Sequence, residues 1–278
     1  MFHDDDLEQF DATGAAPLPA DARTGRVSNR GASIWYAECG AGPAVILLHG
    51  GLGNAGNWGY QVAPLVEAGY RAILMDSRGH GRSTRDGQPY SYDLMGTDVL
   101  AVMDLLSIDK AAIVGWSDGA CTGMVLGRHH PERIAGIFFF ACNMDSSGTL
   151  PFELTPRIER CFSRHKKDYA TLSPTPDTFD DFVEAVGLMQ RTQPDYRAAD
   201  LATIAVPVTI AQSVGDEFIR REHAEYLART IPGAELVMME GVTHFAPVQR
   251  PDAFNGAMLR FLRSLPDWAD DQVFRNDR

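Results

Sequence analysis

One pentapeptide in the chain has residue types and spacing that suit nucleophilic chemistry: Gly115-Trp116-Ser117-Asp118-Gly119. It lies where a strand-like run, residues 111–115, meets a helix-like one, residues 119–130. A turn that tight needs the flanking glycines, and it leaves the serine hydroxyl exposed above a sheet in a strained conformation. A serine hydroxyl is a weak nucleophile near neutral pH and requires a base, itself oriented by an acid. The late part of the chain supplies both. Asp216, in Val214-Gly215-Asp216-Glu217, follows the run 206–212, and His244, in Gly241-Val242-Thr243-His244-Phe245, follows 235–239. The order Ser, Asp, His places each residue on a loop past the carboxyl end of a strand, the edge where open parallel sheets build their sites. Taken singly, Asp216 reads as a turn or cap carboxylate and His244 as a structural histidine. Beside Ser117 the three form a catalytic triad. Asp145, just past the run 134–141, is the alternative acid.

Acyl transfer also needs donors for the developing oxyanion. Leu48-His49-Gly50-Gly51 ends a strand-like run at the place from which a backbone N–H reaches back over the nucleophile. The donors expected are the N–H of Gly51, with Leu52 as its alternative, and the N–H of Asp118. Losing one such donor costs about 2.7–4 kcal/mol of transition-state stabilisation. His49 itself is expected to be a structural hydrogen-bonder. Leu52, Trp116, Asp118 and Phe245 flank these groups in sequence and are the expected pocket residues. The chemistry requires no metal and no organic cofactor. His129 and His130 are adjacent, so they point to different sides of a helix, unlike a zinc-binding pair.

With these motifs the chain resembles the α/β-hydrolase family with a helical cap, over residues from about 25 to 265. The resemblance rests on His49-Gly50-Gly51, Asp76-Ser77-Arg78-Gly79-His80-Gly81-Arg82-Ser83, the elbow Gly115–Gly119, Gly215-Asp216 and His244. The Asp76–Ser83 stretch is similar to a structural turn of that family. Serine at the elbow implies a hydrolase of esters, thioesters, lactones or C–C bonds. The epoxide hydrolases and haloalkane dehalogenases of the fold carry aspartate there. Trp116-Ser117-Asp118 also looks like the elbow of the biphenyl-hydrolase-like amino-acid-ester hydrolases, the valacyclovir hydrolase type. In that group the carboxylate after the nucleophile pairs with a substrate ammonium, which would give Asp118 a second role through a charge-assisted hydrogen bond.

Two readings from other classes compete. Gly51-Leu52-Gly53-Asn54-Ala55-Gly56 satisfies the dinucleotide fingerprint, with Asp76 as its ribose-binding acid, and would make the chain an NAD-dependent oxidoreductase. That reading leaves Gly115–Gly119, Asp216 and His244 without a job. A hydrolase-fold protein that only binds a small ligand is the other, and such a protein has no need of a full triad.

The elements that must position these residues alternate. Strand-like runs at 25–29, 33–39, 44–49, 71–76, 111–115, 134–141, 206–212 and 235–239 predict an eight-stranded, mostly parallel α/β sheet that opens with a hairpin. Helical patterns at 58–68, 93–106, 119–130, 220–230 and 252–265 cover both faces. Residues 25–142 and 204–278 form this core. Residues 143–203 are too long for a loop and lack a buried strand, so they read as an inserted helical cap with helices near 152–166, 177–193 and 198–201. Phe152, Phe162, Phe179, Phe182 and Met189 are its candidate selectivity residues. Residues 1–24 read as a flexible acidic tail.

Composition narrows the partners. The chain has 278 residues, and its net charge of −12 (25 basic against 37 acidic residues) argues against nucleic acid. The partner expected is a small-molecule substrate, with homo-oligomerisation left open. Cys39, Cys121, Cys142 and Cys161 form no CxxC pair and read as buried, reduced thiols. An acidic N-terminus with no following apolar segment lacks the pattern of a signal peptide, and no apolar run is long enough to span a bilayer. The expectation is a cytoplasmic enzyme.

Overall fold

The computed structural model describes residues 2–266, so the last residues of the expected core, 267–278, lie outside the described part. Eight strands form one sheet: β1 (Arg23–Asn29), β2 (Ala32–Cys39), β3 (Ala44–Leu48), β4 (Arg71–Met75), β5 (Ala111–Trp116), β6 (Ile134–Phe140), β7 (Val208–Ser213) and β8 (Glu235–Met239). Their order is β1-β2-β4-β3-β5-β6-β7-β8. β1 pairs antiparallel with β2, and β2 with β4; every later pairing is parallel. The chain runs from β3 to one neighbour, β4, and then crosses to the other, β5. That reversal opens a crevice at the carboxyl ends of β3 and β5.

β3, β5, β6 and β7 are buried at every position. They read as continuous apolar runs because helices pack on both sides. Along β3, Ala44, Ile46 and Leu48 enter one core layer, while Val45 and Leu47 enter the other. The covering helices are α2 (Gly59–Glu67), α3 (Tyr92–Leu105), α4 (Asp118–His129), α8 (Arg221–Thr230) and α10 (Pro251–Ser264), with a single turn, α9 (Ala246–Gln249), between the last two. Ser91 caps α3 by accepting the Leu94 N–H, and α4 stops just before Pro131, as the bias against helix before proline requires. β7 starts two residues later than its hydrophobic run, because Pro207 has no N–H for the ladder.

Between β6 and β7 lie α5 (Pro156–Leu172), α6 (Phe179–Thr192) and α7 (Ala198–Leu201). α5 begins later than its apolar pattern, because Thr155 and Pro156 supply the cap and first helical position. The four cysteines are free and buried. Among the described residues no helix is long and apolar enough to cross a membrane.

The N-terminal segment departs from the flexible tail its composition suggests. Residues 8–13 form α1 (Glu8–Thr13), and the Asp4 carboxylate accepts the N–H of Gln9 and of Phe10. Leu7 and Phe10 are buried, which contributes roughly 1.5–3 kcal/mol each. The acidic residues meet a basic face of α5: Lys167 pairs with Asp11, and Arg160 with Glu8 and the Asp6 carbonyl. Such surface pairs are individually weak. The buried pair of apolar side chains does most of the holding, against a partner more than 140 residues away that local periodicity cannot reveal.

Candidate active site

Ser117 sits between β5 and α4 with φ 53° and ψ −122°, a conformation that side-chain-bearing residues adopt only when the surroundings impose it. Its N–H donates to the Phe140 carbonyl at 2.9 Å, and its carbonyl accepts from Ala120 N–H at 2.7 Å. The glycines at the two ends of the pentapeptide make the turn feasible. A Cβ on Gly115 would lie 2.4 Å from the Ala120 Cα, and one on Gly119 would lie 2.0 Å from the Leu48 carbonyl oxygen. The strained serine is thus wedged between β3, β5 and β6.

His244 lies on the loop after β8, 6 % exposed. Its Nδ1 lies 3.0 and 3.1 Å from the two Asp216 carboxylate oxygens. Asp216 also accepts the N–H of Phe218 (2.8 Å) and of Ile219 (2.9 Å), so it closes a turn and orients the imidazole at once. The acid and histidine loops are tied together by Ser213 Oγ donating to the Thr243 carbonyl at 2.6 Å and Gly215 N–H to the Val242 carbonyl at 3.2 Å. Burial pulls the His244 pKa down. The charge and hydrogen bond of Asp216, with the charges of Glu217 and Asp118, outweigh that and hold it above the usual histidine value.

Asp145 is not on this histidine. Its side chain caps a short turn by accepting the Ser147 N–H at 2.9 Å, and it lies 4.0 Å from His223. The strand ends bring Ser117, His244 and Asp216 to one place and leave Asp145 to one side.

On the opposite wall, the turn after β3 passes close to Ser117. A Cβ on Gly50 would stand 3.2 Å from the Ser117 Cβ, and Leu52 holds φ 64°. The Asp118 N–H begins α4, where first-turn amides have no intrahelical acceptor. His49 supports the turn from behind: Nδ1–H donates to the Gly50 carbonyl (2.8 Å) and Nε2 accepts the Ser77 N–H (3.0 Å).

These groups open into a cavity of about 520 Å³, also lined by Leu52, Trp116, Asp118 and Phe245. The Asp118 carboxylate accepts from the Tyr92 hydroxyl at 2.9 Å and from the Gln190 amide of α6 at 3.0 and 3.2 Å. Burial raises its pKa against those hydrogen bonds. Of the five candidate selectivity residues, Phe152 and Phe162 line the cavity. Phe182 instead stacks on Tyr169 and packs on His80, with Phe179 and Met189 in the same apolar layer.

Sequence reasoning passed over Glu217, Tyr92, Gln190 and Phe218. Glu217 Oε2 accepts the His244 backbone N–H at 3.0 Å, and its other oxygen is 3.3 Å from Arg157 of α5. Its adjacency to Asp216 was the available signal; Tyr92 and Gln190 offered none, since each matters only through a distant partner. The dinucleotide reading fails on geometry. The Asp76 carboxylate is buried and already accepts the N–H of Ala55 and Arg82 and the Arg82 guanidinium. The Asn54–Asn57 capping box fills the turn, with Asn57 Oδ1 only 2.4 Å from where a Gly53 Cβ would be.

Comparison with known proteins gives a consistent picture. Residues 43–184 match the family model described as alpha/beta hydrolase fold. A 3-oxoadipate enol-lactonase of Acinetobacter baylyi is 27% identical over 234 residues, covering 78% of this chain and 87% of that protein. A 2-hydroxy-6-oxononadienedioate/2-hydroxy-6-oxononatrienedioate hydrolase of Escherichia coli O139:H28 is 27% identical over 261 residues, covering 82% of this chain and 90% of that protein. The solved structure of a hydrolase from Pseudomonas aeruginosa PA01 superposes with a TM-score of 0.66 at 25% identity, covering 87% of this chain and 98% of that one.

Proposed function

The chain belongs to the alpha/beta hydrolase fold family, and from that premise we propose that it is a serine hydrolase acting through an acyl-enzyme on a small carboxylic ester or lactone. One observation carries the reading: the strained Ser117 and His244, which Asp216 hydrogen-bonds from behind, line the same cavity. Ser117 Oγ attacks the carbonyl carbon as its proton passes to His244 Nε2. The carbonyl electron pair moves onto oxygen, where the amides of Gly51 and Asp118 hold it. Collapse breaks the bond to the leaving group, which takes the proton from His244. Water, deprotonated by His244, then attacks the acyl-enzyme and releases the acid and free Ser117. Asp216 fixes the imidazole tautomer and stabilises its cation. Helices α5 and α6 cap the cavity and select substrate by shape.

Ser117→Ala should abolish turnover of a panel of small esters and lactones; full retention would refute the reading. The lactone arm draws on the Acinetobacter relative and is the first substrate class to assay. A C–C bond hydrolase on the same triad is the second reading, favoured by the Escherichia coli relative. Turnover of vinylogous diketone acids, and of no ester, would select it. The Asp118 carboxylate in the cavity wall supports a narrower version, in which it accepts a substrate α-ammonium. Matched esters with and without the α-amino group, run on wild type and Asp118→Asn, decide that point: equal rates would exclude it.

A further inference from the structure

The cavity is chemically lopsided, and the lopsidedness runs along the reaction coordinate. Beside the oxyanion turn stand Asp118, Tyr92 and Gln190, so close that a Cβ on Gly51 would lie 2.5 Å from the Gln190 amide and 2.7 Å from Asp118 Oδ2. Beside His244 the wall is aromatic. The Phe218 ring meets the imidazole edge-on with centroids 4.6 Å apart. Phe152 follows 6.3 Å from Phe218, and Phe162 follows 6.4 Å from Phe152 with its ring nearly parallel, at 25°.

The backbone at Phe218 is tied to the segment that leads into Phe152. Leu150 N–H donates to the Phe218 carbonyl at 2.7 Å, Thr149 bridges Ile219 as in an antiparallel sheet, and Arg220 N–H reaches the Gly148 carbonyl at 2.8 Å. Phe218 lies on this strip, Phe152 follows it in the chain and Phe162 projects from α5, yet Phe152 is 60 % exposed and Phe162 38 %. They stay accessible at the cavity mouth although their apolar area would be better removed from water.

Which half of a substrate lies there follows from the mechanism. The leaving oxygen must come within hydrogen-bond reach of His244 Nε2 to be protonated, so the group attached to it lies against the neighbours of His244. We propose that Phe218, Phe152 and Phe162 form a leaving-group subsite for an apolar, ring-bearing alcohol. The inference rests on the acyl-enzyme reading above and deepens it: the departing alcohol is flat and apolar, and the retained acyl group is the part that faces Asp118 and Gln190.

Benzyl and 2-methoxyethyl acetate test it, because their alcohols have similar acidity and differ mainly in apolar area. Methyl phenylacetate places the same ring on the acyl side. Wild type should prefer benzyl acetate over the methoxyethyl ester by roughly thirtyfold in kcat/KM, the factor expected when a phenyl face leaves water. The preference should appear mainly in KM. The double variant Phe152→Ala/Phe162→Ala should reduce that ratio below about fivefold, and Leu154→Ala, a neighbouring exposed side chain, should keep it. Phe162→Leu, which keeps the apolar volume, should fall between. A wild-type ratio near one, a ratio unchanged in the double variant, or a ring preference that moves to methyl phenylacetate would each overturn the subsite. Absence of any Ser117-dependent turnover would instead take down the hydrolase reading, and the subsite with it.

Discussion

His244 with Asp216 and His223 with Asp145 are two buried histidines, each beside a carboxylate, within one sheet edge, and their environments push them in opposite directions. His244 is 3.0 Å from a carboxylate that is itself 1 % exposed, and its pKa is raised. His223 lies 4.0 Å from a carboxylate that is 21 % exposed. Its Nε2 accepts the Met144 N–H at 3.0 Å, which only a neutral ring can do, and burial lowers its pKa despite the charge of Asp145. The difference teaches that proximity of acid and base does not make a catalytic pair. On the proposed mechanism, what decides is the second ring nitrogen: that of His223 is committed to the Met144 backbone, while His244 lines the same cavity as Ser117.

The sharpest way to break this contrast is to remove the rings. His244→Ala should lower kcat by at least about a thousandfold. His223→Ala should stay within about tenfold of wild type, yet lose roughly 1–3 kcal/mol in urea unfolding, because it strands the buried Met144 N–H. Exchanging the acids comes next. Asp216→Asn should cost roughly a thousand- to ten-thousandfold in kcat, by analogy with a triad aspartate that sets the tautomer. Asp145→Asn should cost less than about threefold. Reversed results would make Asp145 the acid.

The effect of charge is smaller and has a sign. His244 must be neutral to take the Ser117 proton, so the acid limb of kcat/KM should lie above the usual histidine value of about 6.5. The groups facing the ring are Asp216, Glu217 and Asp118, with Arg157 behind Glu217. Glu217→Gln keeps an acceptor for the His244 N–H and removes a charge, so the limb should move down. Arg157→Ala removes a compensating cation, so the limb should move up. Shifts of the same sign in both variants would show that Glu217 acts by packing alone.

The smallest effect is on stability. A histidine whose folded pKa is lowered binds fewer protons folded than unfolded. Its contribution is therefore complete above about pH 6.5 and declines as the pH falls towards the folded value. His223 belongs to this class, and so does His165, which burial brings down to about 4. Denaturation at pH 7 and pH 5 should show wild type losing more stability on acidification than His223→Gln does.

Much of this was legible in one dimension. The central strands β3, β5, β6 and β7 announced themselves through their apolar runs, because a parallel sheet covered on both faces tolerates little else at those positions, whereas the antiparallel edge strand β1 is polar and largely exposed. Gly115–Gly119 was readable because two separate steric demands, those of Ala120 and Leu48, leave room only for glycine. What stayed hidden shares one physical cause. The docking of Leu7 and Phe10, the hold of Tyr92 and Gln190 on Asp118, and the grip of Glu217 on the His244 backbone each join residues whose partners are far away in sequence or on another element. Glu217 was marked only by its place next to Asp216, and nothing local marks the others.

Trapping the intermediate tests the central claim most directly. Wild type mixed with an activated ester, quenched in acid within the first turnovers and weighed intact, should carry one added acyl group that peptide mapping places on Ser117. His244→Ala should show the adduct greatly diminished and Ser117→Ala should show none. Rapid turnover with no adduct on Ser117, or an acyl group found on another residue, would contradict the account.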